Sequence, residues 1–183
     1  MMYHLCIGPQ NFGIKDVEER VEKNKHSKAE AFRYLILATQ RQGNRILNDL
    51  LKEMGLTSSQ AEVIRILDEW DSLSLKELGK LLICETGSPS RLIERMNQDG
   101  LIDKVADPKD SRYVILQLSA KGGEMARTIE SIETQMYEQM LRIYSEDELD
   151  HICGQLMRFL KDQPIVETLM KRGYQPEAVT RQS

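Results

Sequence analysis

Hydrophobic residues recur at steps of three and four along most of the chain, the spacing that gathers them on one face of an α-helix. The pattern predicts a first long helix over residues 28–54, and Gly55 follows where a glycine commonly ends a helix. Residues 1–27 have no sustained period, which favours an arm over the alternative of a short solvated helix within 15–25. The apolar stripe of the long helix consists of Phe32, Leu35, Ile36, Thr39, Ile46, Leu47, Leu50, Leu51 and Met54.

Capping sequences predict where further helices begin. In a capping box, a Ser or Thr side chain and a Glu or Gln three residues later satisfy each other's backbone N–H groups. The chain has this arrangement at Thr57 and Gln60, at Ser74 and Glu77, and at Ser145 and Glu148. The helix after the first box ends near Trp70, the helix after the second is short, and Pro164 stops the helix after the third.

Another short helix is predicted over residues 89–98. Ser88 is placed to cap it, Pro89 takes the first helical position, where its missing N–H costs nothing, and Gly100 ends it. The residues expected to face the core are Pro89, Leu92, Ile93 and Met96. The residues expected to face outward are Ser88, Ser90, Arg91, Glu94 and Arg95.

The spacing then changes from that of a helix to that of a strand. Residues 101–106 and 111–118 are predicted strands, joined by a turn at 107–110 that has Pro108 in its second position. After them, Ser119 is expected to cap a long helix with the stripe Met125, Ile129, Ile132, Met136 and Met140. The predicted fold class is therefore mostly α with a small β-hairpin wing, a winged helix-turn-helix.

In a helix-turn-helix the second helix enters the major groove of DNA while the first crosses the backbone. Gly87 and Ser88 precede the predicted second helix, whose N-terminal N–H groups suit a phosphate oxygen. Arg91 can donate two hydrogen bonds to a guanine edge, and Ser90 can pair with several bases. Arg95 lies one turn further along. Two arginines on a short helix are more often only a solvated surface, so the hairpin has to supply further support.

The hairpin tip carries two basic residues, Lys109 and Arg112, beside a turn that projects from the body. Arg112 can grip a phosphate or enter a minor groove. Asp110, two residues earlier, can hold that guanidinium by a charge-assisted bond, or serve simply as a turn residue. The wing therefore favours DNA binding over an ordinary solvated helix.

Charge limits how DNA can be bound. The formal net charge is −4, which excludes a protein that coats nucleic acid indiscriminately. Residues 72–113 contain equal numbers of acidic and basic side chains, so composition alone does not demonstrate DNA binding. Any DNA contact is expected to be confined to one face.

Neither catalysis nor a cofactor is expected. The candidate metal ligands and nucleophiles are His4, His26, His151, Cys6, Cys84 and Cys153, which are too scattered for a metal site or a disulfide framework. The predicted site residues therefore include no catalytic residue and no metal. No run approaches the roughly 18 apolar residues of a membrane span, and the N-terminus lacks a basic signal region. These features predict a soluble, cytoplasmic protein that is not an enzyme.

Two stretches resemble a known family, the MarR-type regulators. Residues 110–122, DSRYVILQLSAKG, fit the family's wing pattern D-x-R-x-x-x-L-x-L-[ST]-x-x-G. Residues 90–96, SRLIERM, with the following 100–102, GLI, fit its recognition helix and exit. Two positions depart from the pattern: Pro89 replaces a β-branched residue, and Ile83 stands where a small turn residue is common.

The resemblance implies a homodimer with intertwined terminal helices and a sequence-specific repressor or activator that is often relieved by a small ligand. It places Arg91 and Arg95 at recognition-helix positions and Arg112 at the wing arginine. It also places Cys84 where the family buries an apolar residue, so a small core hydrophobe is expected there.

The expected organisation is an arm over 1–27, a MarR-like domain over 28–163 and a tail over 164–183. Within the domain, about 57–118 would read DNA, and about 28–54 and 119–163 would form the dimer. The predicted function is a ligand-responsive homodimeric repressor that acts on a pseudo-palindromic operator in double-stranded DNA. The alternative is a winged-helix module that binds other proteins and not DNA.

Overall fold

The computed structural model describes residues 26–84, 87–108 and 110–174. Residues 1–25 of the predicted arm (1–27) and the wing residue Lys109 lie outside these ranges, as does the end of the predicted tail. The chain falls into two units, Met1–Arg45 and Ile46–Ser183. In the described part of the first unit, the chain from Ser27 onward is helical.

The fold is mostly helical, as the periodicity predicts. Helix α1 spans Ser27–Leu51 and is followed by a 3₁₀ turn at Lys52–Met54, which Gly55 ends in the left-handed conformation (φ 67°). The remaining helices of the described residues are α2 Ser58–Trp70, α3 Leu75–Gly79, α4 Pro89–Gln98, α5 Ala120–Ile143, α6 Glu146–Leu160 and α7 Ile165–Lys171. Helix α7 was not predicted, because only a weak pattern follows Pro164 and that residue was read as a stop. Proline is also tolerated at a helix start, and here it immediately precedes one.

All three predicted capping boxes are present, at the starts of α2, α3 and α6. Ser88 occupies the predicted N-cap position of α4, with Pro89 at the first helical position, but the Ser88 side chain makes no capping hydrogen bond. The N–H of Arg91, which a capping side chain would accept, already donates to the Ser88 carbonyl oxygen at 3.0 Å. The backbone therefore already satisfies the N–H group that a capping side chain would otherwise bind.

The sheet has three antiparallel strands in the order β1-β3-β2, one more than predicted. The wing strands are β2 (Ile102–Ala106) and β3 (Val114–Leu118), with Val105 opposite Ile115. The additional strand, β1 (Ser72–Ser74), pairs with β3 on its other edge. Three residues reading Ser-Leu-Ser are too short to show a strand period, so only the partner strand reveals β1.

The buried core of the described residues lies in the second unit. Helix α2 packs on α5, and α4 packs on β2. The largest fully buried side chains are Leu51, Val63, Ile64, Ile66, Leu67, Leu78, Ile93, Met96, Ile102, Leu116 and Ile129. Because α3, α4 and the hairpin contribute to this core, their opposite faces are held in a defined orientation toward solvent.

The junction between α4 and α5 is tight. Gly100 leaves α4 with φ 69°, and its carbonyl oxygen accepts a 2.6 Å hydrogen bond from Ser119 Oγ. The same Ser119 oxygen accepts from the N–H of Gly122 at 3.0 Å, as the predicted cap of α5. Lys121 Nζ donates to the Asp99 carbonyl oxygen at 2.8 Å. The end of α4 is thus fastened to the start of the long helix.

Candidate nucleic-acid interface

Helix α4 presents the polar face that the sequence predicts. Ile93 and Met96 are buried, and Pro89 and Leu92 are partly buried. The exposed residues are Ser88, Ser90, Arg91, Glu94 and Arg95, together with Gly87 just before the helix. Neither Arg91 nor Arg95 forms an ion pair with another described residue. Both guanidinium groups are therefore available for a ligand on this face.

The N-terminus of α4 offers fewer donors than the sequence suggests. Pro89 has no N–H, and the N–H groups of Arg91 and Leu92 both donate to the Ser88 carbonyl oxygen, at 3.0 and 3.1 Å. A helix start binds phosphate through N–H groups that are not already used. Side chains on this helix therefore have to contribute more to any DNA contact than its N-terminal backbone.

An ion pair that sequence reasoning missed joins α4 to the wing. Lys104 Nζ on β2 donates to Glu94 Oε2 on α4. This hydrogen bond and the nearby positive charge lower the pKa of the Glu94 carboxyl group. The pair fixes the exposed face of α4 relative to the first wing strand and neutralises one acidic charge there. The sequence does not reveal this contact, because the two residues lie ten positions apart on different secondary-structure elements.

The wing arginine is held in place by its neighbour. Asp110 accepts from Arg112 Nε at 2.9 Å through Oδ1 and from Nη2 at 2.6 Å through Oδ2, a two-point contact. The backbone N–H of Arg112 also donates to Asp110 Oδ1 at 3.1 Å. These bonds lower the pKa of Asp110 and raise that of Arg112. The Arg112 side chain remains 82% exposed, so the guanidinium is ordered but open to solvent.

The expected buried position of Cys84 is wrong, because the residue is exposed in the connection between α3 and α4. A family preference for an apolar residue at this position does not determine whether the side chain is buried in this connection. Partial desolvation raises the pKa of the Cys84 thiol, and the neighbouring Glu62 carboxylate adds to the shift. The thiol is therefore less ionised than an ordinary cysteine and is not activated as a nucleophile.

Glu62 is a second group that sequence reasoning missed. It lies in α2, it is only 8% exposed, and its carboxylate accepts hydrogen bonds from the backbone N–H groups of Ile83 and Cys84. The one hint of this role in the sequence is that Glu62 stands between two apolar residues, Ala61 and Val63, which are both buried in the structure.

A small cavity of 280 Å³ lies beside the α4–α5 junction. It is lined by Met54, Gly55, Leu56, Gln60, Asp99, Leu101, Lys121 and Met125. Its lining mixes apolar side chains with three polar or charged residues, Gln60, Asp99 and Lys121.

Within the described ranges, no cluster of three or more His, Cys, Asp or Glu side chains is placed to hold a metal ion. The same part of the chain contains no helix that is both long and apolar enough to cross a membrane. His4 and Cys6 lie outside these residues.

A short α3, a following α4 with an open arginine face and a hairpin with an ordered arginine at its tip define a winged helix-turn-helix of the DNA-binding class. Comparison with known proteins agrees with this class. The MarR family model matches residues 56–114. The chain is similar to the MarR family of winged-helix transcriptional regulators.

The organic hydroperoxide resistance transcriptional regulator of Bacillus subtilis is 29% identical over 89 residues. That match covers 49% of this chain and 60% of the relative's length. A mutant of E. coli MarR complexed with operator DNA is similar in structure, with a TM-score of 0.64 and 20% identity over 75% of this chain and 99% of that one. The organohalide-sensing regulator RdhR in its 2,4-dichlorophenol-bound form has a TM-score of 0.63 and 19% identity over 90% of this chain and 92% of that one. The mostly helical winged fold predicted from the sequence is thereby confirmed.

Proposed function

We propose that this protein is a homodimeric repressor that reads a pseudo-palindromic operator and is released by a small molecule. The observation that carries the proposal is the pair of open arginines, Arg91 and Arg95, on the face of α4 opposite the core. The Glu94–Lys104 ion pair joins this helix to the wing, so both would approach the duplex as one unit. Since a repressor acts on the chromosome, a cytoplasmic location is part of the proposal.

Each predicted site residue has a proposed role in this assembly. Arg91, in the first turn of α4, would contact a base edge, and Ser90 and Arg95 would support it along the groove. Arg112 would reach a phosphate or the minor groove, with Asp110 holding its guanidinium. The backbone-contacting group is completed by Gly87, Ser88 and Lys109. Residues 57–118 would then form the DNA-reading part of the protein.

Exposed apolar side chains outside this part support the dimer. On α5 and α6 they are Tyr137, Met140, Leu141, Ile143, Ile152, Leu156 and Phe159. On α1 they are Phe32, Tyr34, Leu35, Leu37, Ile46 and Leu50. Ile143 is 70% exposed and Phe159 is 59% exposed, and burial of such side chains against a second copy would remove apolar surface from water. A second copy of the chain would cover these faces through 28–54 and 119–163.

The cavity beside the α4–α5 junction supports the proposed release by a small molecule. Asp99 and Leu101 line it, and both directly follow the recognition helix. A molecule bound there would bias the angle at which α4 leaves the core. The 2,4-dichlorophenol-bound form of RdhR supports a small aromatic compound as the class of effector.

Footprinting on the DNA upstream of the protein's own gene tests the operator. A two-fold dimer should protect two half-sites about 10 bp apart, or a multiple of that spacing. Sedimentation at micromolar concentration should show a dimer in the same buffer. A single asymmetric half-site or a purely monomeric protein contradicts the proposal, and a chain that binds no DNA at all favours a protein-binding module instead.

The wing predicts a characteristic salt dependence. Arg112→Ala should weaken binding to operator and scrambled duplexes alike, and should lower the slope of log affinity against log salt by about one unit per wing. Asp110→Ala should act in the same direction but more mildly, because the arginine remains and only its ordering is lost. Lys171→Ala, which removes one positive charge from α7, is the matched control and should change neither. An Arg112→Ala protein with unaltered affinity and slope would show that the wing does not touch DNA.

A further inference from the structure

The Glu62 carboxylate has a complete set of partners inside the protein. Its side chain is 5% exposed, and Arg172 Nη1 donates to Oε1 at 2.7 Å. The same Oε1 accepts the N–H of Ile83 at 2.9 Å, and Oε2 accepts the N–H of Cys84 at 2.8 Å. A buried carboxylate costs several kcal/mol unless it is paired and hydrogen-bonded in this way. We call Glu62, Arg172 and the two amides the Glu62 cluster.

The Glu62 cluster joins three parts of the chain that are far apart in sequence. Glu62 belongs to α2, Ile83 and Cys84 form the connection that leads into α4, and Arg172 follows α7 at the C-terminal end of the described residues. Ser59 Oγ also donates to the Cys84 carbonyl oxygen at 3.3 Å. Hydrogen bonds therefore hold both the N–H and the carbonyl group of Cys84.

The held connection lies close to the start of the recognition helix. Four peptide units separate Cys84 from Ser88, so the two α-carbons are at most about 14 Å apart. Ile83 is 36% exposed, so packing alone holds it less firmly than it holds Leu81 and Leu82, which are 6% and 9% exposed. Fixing the amides of Ile83 and Cys84 therefore limits where α4 can begin.

Arg172 is itself ordered by its surroundings. Its side chain is 17% exposed, and its backbone N–H donates to the carbonyl oxygens of Thr168 and Leu169. Its guanidinium lies 5.8 Å from the centre of the Tyr174 ring, within cation–π distance. The cation thus approaches Glu62 from a defined direction and holds the carboxylate against the two amides.

We propose that Glu62 and Arg172 are positioning residues for operator reading, and that the segment containing α7 serves the DNA-reading part of the protein. Arg172 orients the carboxylate, the carboxylate holds the Ile83–Cys84 connection, and that connection sets the entry of α4 into the major groove. This role rests on the proposed function, since it presupposes that α4 reads DNA. In this proposal Arg172, which follows the predicted domain of residues 28–163, contributes to sequence specificity without touching DNA.

The test uses full-length Arg172→Ala and Glu62→Gln, with Arg172→Lys as the conservative variant. Lys171→Ala is the matched control, because it removes the same charge from the adjacent residue, whose partner Glu167 is exposed. Amide hydrogen exchange without DNA should show faster exchange at Ile83 and Cys84 in the first two variants only. Operator affinity should fall roughly three- to thirtyfold, while scrambled-DNA affinity and the salt slope stay unchanged. Arg172→Lys should recover part of the operator affinity, since it keeps the charge and loses the planar geometry.

Other outcomes overturn the proposal in distinguishable ways. If Arg172→Ala matches Lys171→Ala in amide exchange and in operator affinity, then Arg172 has no positioning role. The proposed function is unaffected by that result. An equal loss on operator and scrambled DNA with a lower salt slope shows that Arg172 contacts phosphate directly. A wild-type chain with no operator preference overturns the proposed function, and the positioning role with it.

Discussion

Gly122→Ala should lower the free energy of unfolding by about 3 kcal/mol, the upper range for overpacking a core. A Cβ on Gly122 would overlap the carbonyl oxygen of Leu101 and would lie 3.2 Å from Leu118 Cδ2. The Leu101 oxygen cannot easily turn aside, because it accepts the N–H of Ser119 at 3.2 Å. Relief therefore requires the first turn of α5 to move away from the strand that follows α4, and the whole junction opens.

Gly123→Ala is the matched control, one residue further along α5. A Cβ there meets nothing within 4 Å, so the substitution only replaces a flexible helical residue with a better helix former. It should be neutral or stabilising by about 0.5–1 kcal/mol. Urea denaturation of both variants measures the contrast. Equal midpoints for the two would mean that the α4–α5 junction is looser than its geometry implies.

Arg91→Ala should remove most of the preference for operator over random DNA. A two-point contact to one base is worth about 1–3 kcal/mol, and a dimer loses it twice, so the preference should shrink by about 2–6 kcal/mol. The structure supports this role because Arg91 lies in the exposed first turn of α4 and is not paired with a described carboxylate. Competition between operator and scrambled duplexes at fixed salt is the measurement.

Arg91→Lys separates charge from geometry in the same assay. Lysine keeps the attraction to phosphate but cannot make the forked contact of a guanidinium with a guanine edge. It should therefore retain binding to scrambled DNA and still lose operator preference. If Arg91→Lys and Arg91→Ala both keep the wild-type preference, then the base reader lies elsewhere on α4, and Arg95 becomes the candidate.

Much of the fold follows from local signals that the chain carries in short windows. The capping boxes at Thr57 and Ser74 place two helix starts correctly, because a cap involves only residues three positions apart. The periodic burial of Ile93 and Met96 likewise indicates which side of α4 is exposed. The Asp110–Arg112 contact also spans only two residues, and for the same reason it is one of the two roles that the sequence offers for Asp110.

Only the tertiary structure decided the features that depend on distant partners. The strand at Ser72–Ser74 exists because β3 pairs with it, and the Ser88 side chain does not cap α4 because the backbone takes its place. Glu62 meets Arg172 across 110 positions of sequence. A buried charge is favourable only when its partners are assembled around it, and no local pattern encodes that assembly. Residue spacing therefore determined the helices and the exposed arginine face, while packing decided how the recognition helix is held.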